Sequence, residues 1–149
     1  MADLVTTLSE SVVLNNAVRG SSNSVTTTGI NDVMGRIVTC TQAVVTTIAV
    51  FAALPSTSPG AIDVDRTRYI RVTNLDLTNN IELAIVTTNT NYQVTITGGN
   101  SHILSLAQAV ALGEEDAEPS FGTMEDITSL QVQPVTANDA QVELFVGLV

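Results

Sequence analysis

Few side chains in this sequence could do chemistry, and their spacing narrows what that chemistry could be. His102 is the only histidine and Cys40 the only cysteine. A histidine base needs a nucleophile on one side and an orienting acid on the other, and no Gly-x-Ser-x-Gly elbow supplies the first. His102 follows Gly-Gly-Asn-Ser at an expected strand start, which predicts a structural residue hydrogen-bonded to backbone. Cys40, in Arg-Ile-Val-Thr-Cys-Thr, has no partner for an intrachain disulfide and is expected to be a small buried hydrophobe. Asp63 and Asp65 project to one side of an extended backbone. Their first reading is ion pairing with Arg66, Arg68 or Arg71. A calcium site is the sharper reading, but the further oxygen ligands of an EF-hand are missing. Glu114, Glu115, Asp116 and Glu118 are expected to form a solvated acidic loop and not a cation site. There is no phosphate-cradling glycine loop, no cysteine cluster and no aromatic platform for sugars or bases. The expectation is a protein with no catalytic, cofactor or metal residues, and so not an enzyme.

One constellation stands out. Arg66, Arg68, Tyr69 and Arg71 lie within six positions, and Arg and Tyr are the types enriched at the anchor points of protein interfaces. They are the candidate protein–protein contact residues. The competing reading pairs the arginines internally with Asp63, Asp65, Asp76 or Glu82. Against these bases stands a strongly acidic chain, with 15 Asp and Glu, 5 arginines and no lysine, a formal charge of −10. Such a surface repels nucleic acid, so no direct nucleic-acid partner is expected. The longest apolar run, residues 48–54, is too short to cross a bilayer, so no membrane is expected either. The first residues lack the basic start and apolar run of a secretory signal, which predicts a protein made without export.

The elements that would position these residues are strands. Of the residues, 44% are hydrophobic and only 3% aromatic, and the apolar content is mainly Val, Ile, Leu and Ala with abundant Thr. Side chains branched at Cβ favour the pleated surface of a sheet. Residues 68–106 carry the clearest pattern. Ile70 and Val72, then Ile81, Leu83 and Ile85, then Tyr92, Val94 and Ile96 form three period-2 rows separated by Asn- and Gly-rich turns. Links this short predict antiparallel strands. Upstream, residues 36–40 and 46–54 read as strands, with a helix over 42–53 as the weaker alternative, and 55–60 as a loop broken by two prolines. Downstream, residues 107–112 suggest a helical turn, and 127–132 and 141–149 two closing strands, the last inside the sheet or paired with another copy. Residues 1–29 are an N-terminal arm or edge strand packing on the domain or on a neighbour. Within it, 19–29 is expected to be loop with a short strand at 25–28, and Val12, Val13 and Leu14 are expected to find cover. Residues 30–149 form the domain proper. The fold class expected is all-β: an antiparallel, jelly-roll-like β-sandwich of eight or nine short strands.

Several phrases of the chain, SESVVLNNAVRG, RIVTC, PGAIDVDRTRYIRVTNLDLTNNIELAIV, YQVTITGGNSHIL, SLQVQP and AQVELFVG, together resemble small virion structural proteins of tailed bacteriophages, particularly marine and cyanobacterial phages. The correspondence runs from about Ser9 to Gly147, with the strand, alternating strand and Gly-x-Ser turn of that group at residues 68–76, 81–86 and 99–104. It is carried by strand phrasing, so no functional residue transfers with it. The resemblance implies a β-sandwich that decorates and cements the capsid by binding across major capsid protein subunits. It also implies synthesis in the host cytoplasm, residence on the outer capsid surface, and self-association as a dimer or trimer. The alternative role is a tail- or neck-associated module, or one that binds host-receptor glycans.

Overall fold

A computed structural model describes residues 1–55, 60–113 and 121–149. The acidic run at 114–118 and most of the proline loop lie outside the described residues. Among the described residues the regular structure is entirely β. The strands are β1 (Ala2–Ser9), β2 (Val12–Leu14), β3 (Ala17–Arg19), β4 (Ser22–Ile30), β5 (Asp32–Cys40), β6 (Thr46–Ala52), β7 (Ile62–Asp63), β8 (Thr67–Asn74), β9 (Ile81–Val86), β10 (Asn91–Ile96), β11 (Ser101–Leu104), β12 (Ser129–Pro134) and β13 (Ala140–Leu148).

Two sheets form the body, one of five strands in the order β10-β9-β12-β6-β7 and one of four in the order β11-β8-β13-β5. All pairs are antiparallel except the two-residue contact of β6 with β7. The period-2 rows meet between the sheets. Ile70 and Val72 of β8 and Val142, Leu144 and Val146 of β13 face Ile81, Leu83 and Ile85 of β9, Leu130 and Val132 of β12, and Ile48 of β6, all buried. This is a β-sandwich, with the apolar row of each strand turned to the opposite sheet. Cys40 is fully buried in this core, and burial raises its thiol pKa above the ordinary value. The final strand lies inside its sheet, between β8 and β5.

Polar loops carry the chain from sheet to sheet. After β8, buried Asn74 donates to the carbonyls of Asn79 and Ile96 and accepts from the Asp76 amide. Asp76 in turn accepts the amides of Thr78 and Asn79, and these bonds hold its carboxyl pKa down to about 2. Of the turns in residues 74–100, only the last uses a positive φ, at Gly99 (73°). At the open edge, Arg36 of β5 donates to the Ile48 carbonyl of β6, tying one sheet to the other. The helix considered for 42–53 does not form. Ala43 turns the chain and β6 follows, as expected of a Val-Val-Thr-Thr run. Nor do residues 107–112 make a helical turn. Ala111 instead pairs with Glu125, whose carboxylate accepts from Thr87 and from the amide and side chain of Asn89. The three rows of residues 68–96 do not share one sheet either, because β8 belongs to the four-stranded sheet and β9 and β10 to the five-stranded one.

The largest departure from expectation is at the N-terminus. Residues 19–29 are not loop: β4 runs for nine residues and pairs with β1. The ladder continues in the same register through Glu10–Ser21 into β2 and β3. The result is one long hairpin. It closes at Asn15 and Asn16, whose φ values of 52° and 61° suit a two-residue turn of the kind that matches strand twist. Gly20 (φ 118°) lies so close to Glu10 that a methyl group there would fall 2.2 Å from the Glu10 carbonyl oxygen. Ser and Asn in 19–29 suggested loop, but a ladder of backbone bonds forms wherever a partner strand is available, whatever the side chains favour.

Candidate functional site

The hairpin arm and the outer face of the four-stranded sheet are two surfaces that the core does not explain. Alternation decides what each shows. In β1 and its partners, Leu4, Thr6 and Leu8 share a face with Val25, and in the same register Val12 and Leu14 continue that row. This is the under face of the arm. Val5, Thr7, Ser9 and Val13, with Val18 and Ser24, occupy the other face, where the Thr7 and Ser24 hydroxyls bond at 2.8 Å.

Only the root of the arm rests on the body. Ile30 is buried, and Leu4 is partly covered. A methyl group at Gly147 would lie 3.5 Å from Ile30 and 3.6 Å from Leu4 and from Tyr69, so these side chains close over that glycine. Beyond Thr6 the row is uncovered, with Leu14 58% and Val18, on the opposite face, 75% exposed. The cover expected for Val12, Val13 and Leu14 is therefore not found on the chain itself.

The outer face of the four-stranded sheet lies beneath this root. Tyr69, Arg71 and Thr73 of β8 alternate with the core residues of that strand, as do Glu143 and Phe145 on β13. Arg71 donates to Glu143 at 2.7 Å and to Thr73 at 3.0 Å, and its guanidinium lies 5.8 Å from the Phe145 ring centre. Tyr69 meets Phe145 edge-on at 6.0 Å and is only 8% exposed. Around this centre sit exposed aliphatic side chains: Ile103 opposite Arg71, Ile37 opposite Glu143 and Val33 opposite Gly147. An open groove of about 300 Å³ runs between residues 4–7 of the arm and Tyr69, Arg71 and Phe145.

The four candidate contact residues are thus divided. Tyr69 and Arg71 stand together on the outer face. Arg68 lies in the opposite row of the same strand and donates to the carbonyls of Asp65 and Thr67. Arg66 donates to the Val149 carbonyl at the chain end. Asp63 and Asp65 do not pair with these arginines. Asp63 accepts the amides of Asp65 and Arg66, and Asp65 accepts from Gln108 at 2.6 Å. Among the described residues the ion pair that does form, Arg71–Glu143, joins β8 to a strand 72 residues away, a distance that no local motif signals. Sequence reasoning missed Glu143, Phe145, Ile37 and Ile103. Their signal was present as the non-core row of strands already recognised.

His102 faces the core side of β11, opposite Val72. Its buried Nε2 has no hydrogen-bond partner among the described residues, so the backbone bond expected of His102 is not made at that nitrogen. Burial lowers its pKa below the ordinary 6.5. Among the described residues, no three His, Cys, Asp or Glu side chains gather as a metal site, and no helix is long and apolar enough to cross a membrane. No family model and no curated protein matches the chain.

Proposed function

We propose that this protein is a structural component of a bacteriophage virion. In this reading it decorates and cements the capsid by binding across neighbouring major capsid protein subunits on the outer surface. It is made in the host cytoplasm and acts in several copies, as a dimer or trimer. The observation that carries the proposal is the contrast between a fully packed sandwich and an apolar arm that the chain leaves uncovered. Large uncovered apolar surface on a well-packed domain marks an interaction site. An extended arm suits a protein that must reach over subunit boundaries, where many weak copies act together.

Topology supports a jelly-roll reading. Without the short β7, the sheets run β6-β12-β9-β10 and β11-β8-β13-β5, and every connection except β9 to β10 changes sheet. Jelly rolls occur in viral capsid and lectin domains alike, so the fold by itself does not select between shell and glycan. The resemblance of residues 68–76, 81–86 and 99–104 to virion proteins favours the shell. The second reading, a tail or neck module or a glycan-receptor binder, draws on a shallow groove on the five-stranded sheet lined by Glu82, Asn91, Gln93, Gln131 and Gln133.

A protein inventory of purified virions, with a reconstruction of the particle, tests the proposal. The expected result is stoichiometric density on the outer head shell. Absence from particles overturns it. Density on the tail together with a positive glycan screen establishes the second reading instead.

A further inference from the structure

We propose that the under face of the arm seats on the outer face of the four-stranded sheet of a second copy of this chain. The inference rests on the reading above only in supposing that the protein acts in several copies.

Continuity is the first argument. Within one chain the opening of the arm's row, Leu4, already packs on this sheet beside Tyr69 and over Gly147. The same two surfaces then part. The next apolar members of the row, Leu8, Val12 and Leu14, with Glu10 between the first two, are uncovered, and so are the next aliphatic residues of the sheet, Ile37 and Ile103. Each surface lacks the cover that the other offers, and one chain cannot supply both once its arm has left the sheet.

Charge is the second argument. The arm holds Asp3, Glu10 and Arg19, a formal −1, so residues 30–149 hold −9 of the total −10. Two bodies of that charge repel, and the arm is the region that can approach an acidic body at least cost. On the sheet face, Arg71 and Glu143 neutralise each other at 2.7 Å. Arg19 lies opposite Val12, in the row of the under face near the tip, and its guanidinium has no partner among the described residues. With Glu10 on the same face, it leaves the under face without net charge, unlike the acidic body it would meet.

Area is the third. Four aliphatic residues of the under face, Leu8, Val12, Leu14 and Val25, are each more than half exposed. Together they present on the order of 400 Å², about half of the roughly 800 Å² that each partner buries in a standard interface. A two-stranded ribbon is marginal in water without such cover.

Sedimentation equilibrium of the full chain reads the assembly. Leu8→Asp with Leu14→Asp on the under face, and Ile37→Asp with Ile103→Asp on the sheet, are each expected to weaken self-association at least about tenfold, the loss of one anchor or more. Val13→Asp with Val18→Asp, on the other face of the arm, is expected to leave it unchanged. All six side chains are exposed, and circular dichroism confirms that each variant is folded. A Leu14→Cys preparation mixed with an Ile37→Cys preparation is expected to form an intermolecular disulfide, free of competition from buried Cys40. A monomeric wild-type chain overturns the inference. So do an assembly indifferent to both interface pairs, an equal loss from the Val13 and Val18 pair, and failure of the mixed disulfide. A chain that is monomeric in solution yet present on virions removes this interface and leaves the functional proposal standing, whereas an arm-linked oligomer absent from virions does the reverse.

Discussion

β1 of the arm and β13 both alternate along their length and behave in opposite ways. β13 alternates Val142, Leu144 and Val146 with Glu143, Phe145 and Gly147, and its first row is buried. β1 alternates Leu4, Thr6 and Leu8 with Val5 and Thr7, and both rows end in solvent. β13 has a strand on each side and a second sheet opposite, whereas β1 has one partner and nothing opposite beyond its root. Alternation specifies a strand with two faces; burial belongs to whatever stands across from them. The arm is therefore held by its ladder and its Asn15–Asn16 turn, and the body by its core.

The comparison can be broken most strongly in the core. Leu144→Ala is expected to cost about 2–5 kcal/mol of unfolding free energy, because the fully buried site cannot collapse on the void. A denaturant titration that finds less than 1 kcal/mol would mean the sandwich is not packed as described. The next effect belongs to the polar hinge between sheets. Asn74→Ala strands the Asn79 and Ile96 carbonyls and is expected to cost about 1–3 kcal/mol by the same titration.

A smaller, pH-dependent effect comes from His102. Its folded pKa lies below 6.5 because burial disfavours the cation, so the unfolded chain binds the extra proton first. Stability is full above pH 6.5 and declines as pH falls from there through the folded value. His102→Leu is expected to flatten that decline in melting temperature between pH 7 and 5; an unchanged slope would assign it to other groups. The smallest effect on the body belongs to the arm. Gly20→Ala forces a Cβ against the Glu10 carbonyl at a φ of 118°, so amide protection should be lost in residues 2–30. The unfolding free energy of the sandwich should stay within about 0.5 kcal/mol of wild type, as for exposed positions generally. Loss of both together would show that arm and body fold as one unit.

Much of the fold was legible. The rows at 70–72, 81–85, 92–96 and 142–148 are β8, β9, β10 and β13, and the buried Cys40 and the interior position of the last strand follow from the same pattern. The arm's strand character was hidden at 19–29, because Ser, Thr, Asn and Gly carry no apolar row to read, and pairing there is made by backbone. The candidate site was legible only in part. Tyr69 and Arg71 share a face because they are two positions apart on a strand, and that spacing excludes Arg68. Glu143 as the partner of Arg71 could not be read, since register between strands 72 residues apart depends on how the whole sheet closes.

The sequence alone determined that this chain is β, where the turns between residues 74 and 100 fall and which side chains of a strand share a face, because a strand's period of two is a property of local backbone geometry. Tertiary structure decided which sheet each strand joins, that β8 and β9 part company, and that the first thirty residues stand away from the core as a hairpin. Those outcomes depend on hydrogen bonds and apolar contacts between residues far apart in the chain, and no local period carries that information.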